Sequence, residues 1–124
     1  MDFNRFTEKL QEGVRAAQSL AAQRGQQQLD VEHLLVALLE QDGGLAQSVL
    51  AKTGVKLEEM HRRLTEQLDK LPRVSGGAVG VDQIYVTPRL QSLLTKAESE
   101  AKRLKDDYVS VEHVLLAATD EKIF

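Results

Sequence analysis

The chain has 124 residues, 42% of them apolar but only 4% aromatic, and no cysteine. That length suits one domain with a core of Leu, Val and Ala, better served by packed helices than by short-stranded sheets, and it excludes disulfides and thiolate metal sites. A formal net charge of −3, with no basic stripe and no apolar run of about 18 residues, argues against nucleic-acid partners and against a membrane span.

The N-terminus "MDFNRFTEKLQ" is charged where a signal peptide needs an apolar run, so a cytoplasmic location is expected. A first helix is predicted over Phe3–Arg24, with Phe3, Phe6, Leu10, Val14, Ala17 and Leu20 on one face. Gly25 and the polar "QQQ" behind it interrupt the pattern. Asp30 is a good N-cap for a second helix over Val31–Gln41, apolar on nearly every side and therefore expected at the centre.

"DGG" at Asp42–Gly44 ends that helix and leads into a short one over Leu45–Thr53, closed by Gly54. A fourth helix carries Leu57, Met60, Leu64, Leu68 and Leu71 on one face, a stripe too short for a coiled coil and so read as core. Residues 72–86, "PRVSGGAVGVDQIYV", have no helical period and read as a linker. Thr87-Pro88 then starts a fifth helix, with Leu90, Leu93, Leu94, Ala97, Ala101 and Leu104 buried. Ser110 caps the last helix, from Val111 onward.

The second part repeats the first at a constant offset of 80 residues, Thr7 answering Thr87 and His33 answering His113. Eleven positions are identical without a gap, including Leu10/Leu90, Ala17/Ala97, Val31/Val111 and Glu32/Glu112, and they concentrate at caps and buried sites. The expected architecture is all-α: two four-helix repeats related by a pseudo-twofold, the first over 1–71, the second partial over 87–124. Phe124 answers Gly44, so the second repeat is expected to be truncated, leaving apolar surface that favours self-association or a frayed end.

His33 and His113 fall in buried helices, where hydrogen bonds within the fold satisfy an imidazole, while His61 reads as a surface residue. Glu98 with Lys102 reads as a helix surface pair. Glu32 and Glu112 stand in first turns, where carboxylates meet free amide protons. No phosphate-loop motif occurs: "GGAVGVDQ" has glycines but no Lys-Ser/Thr pair.

"RFTEKLQ", "DVEHLLVALLEQDGG", "LDKLPRVSG" and "DDYVSVEHVLLAA" resemble, over the whole chain, the N-terminal repeat domain of Clp-type ATPases, and most nearly its ClpB disaggregase branch. The resemblance implies a non-catalytic substrate-recognition domain near the pore of a hexameric ring, binding unfolded or aggregated polypeptides. It implies no cofactor for this domain, ATP and magnesium belonging to ATPase modules elsewhere in the parent protein. Partners would be those polypeptides, the rest of the ring, and a co-chaperone or adaptor. The alternative is an adaptor-docking domain of a protease-linked Clp ATPase; a DNA-binding helix-turn-helix is disfavoured by the acidic balance.

The resemblance also carries site residues. Positions matching Thr7, Asp106 and Glu112 are implicated in handling aggregated substrates. An apolar groove is implied at Leu94 and His113, with Leu90 and Tyr108 as neighbours on periodicity, although His113 stands where an apolar residue is usual. In the ClpC branch, positions matching Glu32, Glu112, Thr7 and Thr87 line paired pockets for phosphorylated arginine; that branch carries "GTEH", whereas this chain has "DVEH" and "SVEH".

Overall fold

The computed structural model describes residues 3–41, 44–74, 80 and 83–120. The described residues form six helices, α1 (Glu8–Gln23), α2 (Val31–Leu39), α3 (Leu45–Lys52), α4 (Leu57–Asp69), α5 (Pro88–Arg103) and α6 (Val111–Asp120). The turn residues Asp42 and Gly43, most of the glycine-rich linker and the expected end of the second repeat lie outside the described residues.

All nine residues of α2 are buried, the central place its all-round apolarity calls for. α1 and α4 pack against it, and α5 packs on α6 as α1 does on α2. Leu64 and Leu68 are the buried residues of the α4 stripe, with Leu57, Met60 and Leu71 half-buried beside them, so the stripe is core. Full burial of such a side chain contributes about 1.5–3 kcal/mol.

The first helix starts later than its apolar period suggests. Phe3–Arg5 form a single 3-10 turn that stacks the Phe3 ring edge-on against Phe6, with centroids 5.1 Å apart. Phe6 pairs with Val109 in an isolated parallel bridge, and Thr7, extended at ψ 160°, becomes the N-cap. Strand-like pairing has displaced the first helical turn.

The "QQQ" stretch and the end of the linker are likewise not plain connections. β1 (Gln28–Leu29) pairs in parallel with β2 (Tyr85–Val86), Gln28 opposite Tyr85 and Leu29 opposite Val86. Gln26 is buried and donates its amide to the Leu68 carbonyl at 2.7 Å, while the Val74 N–H reaches the Gly25 carbonyl at 2.6 Å. Two-residue strands carry no period, which is why the linker reading missed them. On α5, Glu100 pairs with Arg103 at 2.7 Å. His61 is half-buried, with Nε2 3.4 Å from Glu40.

Main-chain bonds reveal the pseudo-twofold directly. The Thr7 N–H donates to the Val109 carbonyl at 3.0 Å, and the Thr87 N–H donates to the Leu29 carbonyl at 3.1 Å. Each repeat's cap thus bonds to the other repeat's strand residue, and positions 7/87 and 29/109 differ by the same offset. Such mutual exchange is what a twofold axis imposes on an interface. The turns after α1 and α5 match as well: Gln26 N–H to Ala21 O at 2.9 Å answers Asp106 N–H to Ala101 O at 2.8 Å.

Candidate functional site

Two pseudo-equivalent corners form where each repeat's helix start meets the other's. In both, a threonine hydroxyl accepts the N–H three residues on, Leu10 to Thr7 at 3.2 Å and Leu90 to Thr87 at 3.1 Å. In both, a histidine takes the place that glutamate usually holds in a capping box. The Asp30 N–H donates to His33 Nδ1 at 3.0 Å, and the Ser110 N–H donates to His113 Nδ1 at 2.8 Å. With Nδ1 accepting, each ring carries its proton on Nε2.

That proton goes to different partners. His33 donates to Gln26 Oε1 at 2.7 Å, and Gln26 passes the chain to the Leu68 carbonyl, joining the cap of α2 to the end of α4. Burial holds the His33 pKa below its ordinary value; the Asp30 and Glu32 carboxylates pull the other way without prevailing. His113 instead donates to the carboxylate of Asp106 at 2.8 Å, an exposed residue.

The first corner is closed by a cation. Arg89 Nη1 lies 2.9 Å from both oxygens of Glu32 and 3.4 Å from Asp30, whose Oδ1 also accepts the Thr87 hydroxyl at 3.0 Å. Burial works against the Arg89 charge, but hydrogen bonding and attraction to Glu32, then Asp30, outweigh it, and its pKa is raised. Glu32 and Arg89 help line a cleft of about 730 Å³ that also takes in Val55, Met60 and Leu64 of the first repeat.

The second corner is open. The counterpart of Arg89 is Lys9, which pairs with Glu12 at 3.7 Å, and the counterpart of Asp30 is Ser110. Glu112 is exposed and has no side-chain partner among the described residues. Around it, Asp106 and Asp107 are exposed, Arg5 donates to the Asp107 carbonyl at 3.1 Å, and Tyr108 is 58% exposed. Leu116 lies one turn beyond Glu112 on the same face of α6 and is exposed, as is Leu104 at the end of α5.

Of the residues singled out from the sequence, Thr7, Asp106, Tyr108, Glu112 and His113 come together at this second corner, and Glu32 and Thr87 at the first. Leu90 and Leu94 do not line an open groove: they are 2% and 5% exposed, held in the core of the second repeat because α6 covers that face of α5. His113 is buried too, its ring spent on the cap. Leu104, expected in the buried stripe of α5, is instead exposed, because it stands at the C-cap where the helix ends; sequence reading also missed Asp107 and Leu116, and it missed Arg89, whose partners are far away in sequence.

Fold and corners together define a duplicated helical domain whose two units lock through exchanged main-chain bonds. The chain belongs to the Clp repeat (R) N-terminal domain family, whose pattern matches residues 5–123. It is 46% identical over 122 residues to "Chaperone protein ClpB" of Bacillus cereus, covering 98% of this chain and 14% of that protein. Against "Chaperone protein ClpB" of Bacillus anthracis the identity is 44%, with the same coverage. The chain thus spans about 14% of the length of the curated relatives it matches. The solved Hsp104 N-terminal domain from Candida albicans is similar in structure, with a TM-score of 0.77 and 25% identity over 90% of this chain and 71% of that one. Among the described residues, no helix is long and apolar enough to cross a membrane.

Proposed function

We propose that this domain is the substrate-recognition module of a ClpB-like disaggregase, and that its second corner is where it meets unfolded or aggregated polypeptide. The reading rests on the family and on one observation above others: Glu112 is exposed and has no side-chain partner among the described residues, with exposed Leu116 one turn on and exposed Tyr108 and Leu104 in the segment leading to its helix, while its counterpart Glu32 is covered. Aggregated proteins share exposed apolar segments and little else. A surface for them needs apolar area that no folded neighbour claims, with adaptable polar groups around it.

Tyr108 suits this role because its ring offers large contact area at low entropic cost, with a hydroxyl left in water. Asp106, Asp107 and Glu112 favour segments whose apolar residues are flanked by Lys or Arg. Contacts of this kind are weak and quickly released, as handing a chain onward to a ring pore requires. Bond-making belongs, in this reading, to ATPase modules of the parent protein, which hold ATP and magnesium.

The test uses fluorescence anisotropy with labelled, permanently unfolded casein. Tyr108→Ala and Leu116→Ser, both at exposed positions, are expected to keep the fold and together to weaken capture by about tenfold or more. Capture unchanged by the pair would refute the corner as the contact surface.

A further inference from the structure

Residues 84–87, "IYVT", are four uncharged, β-favouring residues in a chain built mostly of helices. Sheet pairing uses only one side of them. The Tyr85 N–H donates to the Gln27 carbonyl at 2.9 Å and the Thr87 N–H to the Leu29 carbonyl at 3.1 Å. Alternation along the strand therefore turns the N–H and C=O of Val86 away from β1. The Val86 N–H has no main-chain partner among the described residues, and Tyr85 and Val86 are 57% and 43% exposed.

The pseudo-twofold supplies the comparison. The counterpart of Val86 is Phe6, which is 2% exposed. Its N–H donates to the Phe3 carbonyl at 3.0 Å, and the Phe3 ring stands edge-on against it. The counterpart of Tyr85 is Arg5, a charged side chain held on the Asp107 carbonyl. Covering and charge are the ordinary means by which a strand edge is protected from other chains. At β2 neither is in place: Gln83 stands where Phe3 would, and Tyr85 where Arg5 would. Of two equivalent edges, one is sealed and the other is open.

We propose that β2 is a self-pairing edge: two copies of this domain join β2 to β2, antiparallel about a twofold axis at Tyr85, in a sheet of order β1–β2–β2–β1. In that register the Val86 N–H of each copy donates to the Ile84 carbonyl of the other, and the two Tyr85 side chains meet across the axis. A second copy is the occupant because the edge is its own complement. A twofold contact needs the same patch on both sides, and antiparallel pairing presents the same groups in both directions. Residues 84–87 also bring no charge to repel their twin, although the chain carries a net −3. The added strand continues the sheet that already joins the two repeats. So short an edge gives a weak, transient contact, well under about 1,200 Å². Copies tethered side by side in a parent assembly meet at concentrations on the order of millimolar, where such a contact is populated. The inference does not rest on the Glu112 corner, which lies at the pseudo-equivalent, sealed edge.

The chain has no cysteine, so a single introduced one reports the contact. Facing residues of a non-hydrogen-bonded antiparallel pair stand about 4.5 Å apart at Cα, within disulfide reach. In a glutathione redox buffer, Tyr85→Cys is expected to form disulfide-linked dimer in about tenfold or more higher yield than Tyr108→Cys, an equally exposed position. Equal yields overturn the proposal. Sedimentation of the unmodified chain gives an independent reading. Its average mass is expected to rise toward that of a dimer by about 2 mM, and Tyr85→Lys, which puts a charge on the edge, to abolish the rise. A chain monomeric at that concentration, or self-association that Tyr85→Lys leaves intact, overturns the pairing. Amide NMR shifts on dilution are expected at residues 84–87; shifts centred on α6 would assign self-association to the Leu116 face and overturn it as well.

Discussion

Lys105 sits at φ +61°, in the region that favours glycine, and its counterpart Gly25 sits at +70°. Both close a helix with the same pair of main-chain bonds, so the geometry is demanded by the turn and the lysine tolerates it at a cost. Lys105→Gly is expected to raise stability by about 0.5–1 kcal/mol, and Gly25→Ala to lower it by about 1 kcal/mol or more, in urea unfolding. The glycine was legible in the sequence; the strained lysine was not, because only the repeat's geometry discloses it. His33 gives the residue scale its pH dependence. Its folded-state pKa is held below the ordinary 6.5 by burial. As pH falls below about 6.5 the unfolded chain takes up a proton that the folded chain resists, so stability is complete above that value and declines beneath it. Urea midpoints should drop between about pH 7.5 and about pH 5.5, and His33→Gln should flatten that part of the difference which His33 supplies.

At the scale of elements, helix starts were the most legible feature and helix partners the least. Asp30 and Thr87 announce their caps through residue type, and each fills the expected position, whereas Thr7 caps a helix expected to begin at Phe3. Thr87 does more, since its hydroxyl also donates to Asp30 across the repeat interface. Thr7→Ala is expected to cost about 1 kcal/mol, and Thr87→Ala measurably more, in parallel urea titrations. The close contact of α1 with α2 depends on Gly13, where an added Cβ would fall 2.5 Å from Leu38 Cδ2. Alanine there gains about 1 kcal/mol of helix propensity but must push a fully buried leucine aside, at about 1–3 kcal/mol. Gly13→Ala is therefore expected to be neutral to destabilising, and a clear rise in the unfolding midpoint would show that α1 and α2 have slack between them. The two short strands had no sequence signal at all: two residues cannot display alternation, and their pairing joins segments 57 residues apart.

For the whole molecule, the duplication was readable because gapless identity at caps and buried positions reports a shared backbone. The twofold exchange of bonds between Thr7 and Val109 and between Thr87 and Leu29 is its physical form. In the proposed reading, function resides in the breaking of that symmetry. Arg89 against Lys9, Asp30 against Ser110, and Gln26 against Asp106 turn one corner inward and the other outward. Single letters of this kind carry no weight in a sequence until the structure shows what each one faces. The same lesson explains Leu90 and Leu94, whose stripe was right as core and uninformative as groove. Titration of the labelled domain with unfolded casein, read as amide NMR shifts, tests the central claim most directly. The account predicts saturable shifts clustered over residues 104–116 with the Asp30–His33 start silent; no shifts at millimolar casein, or shifts centred on the first repeat, would contradict it.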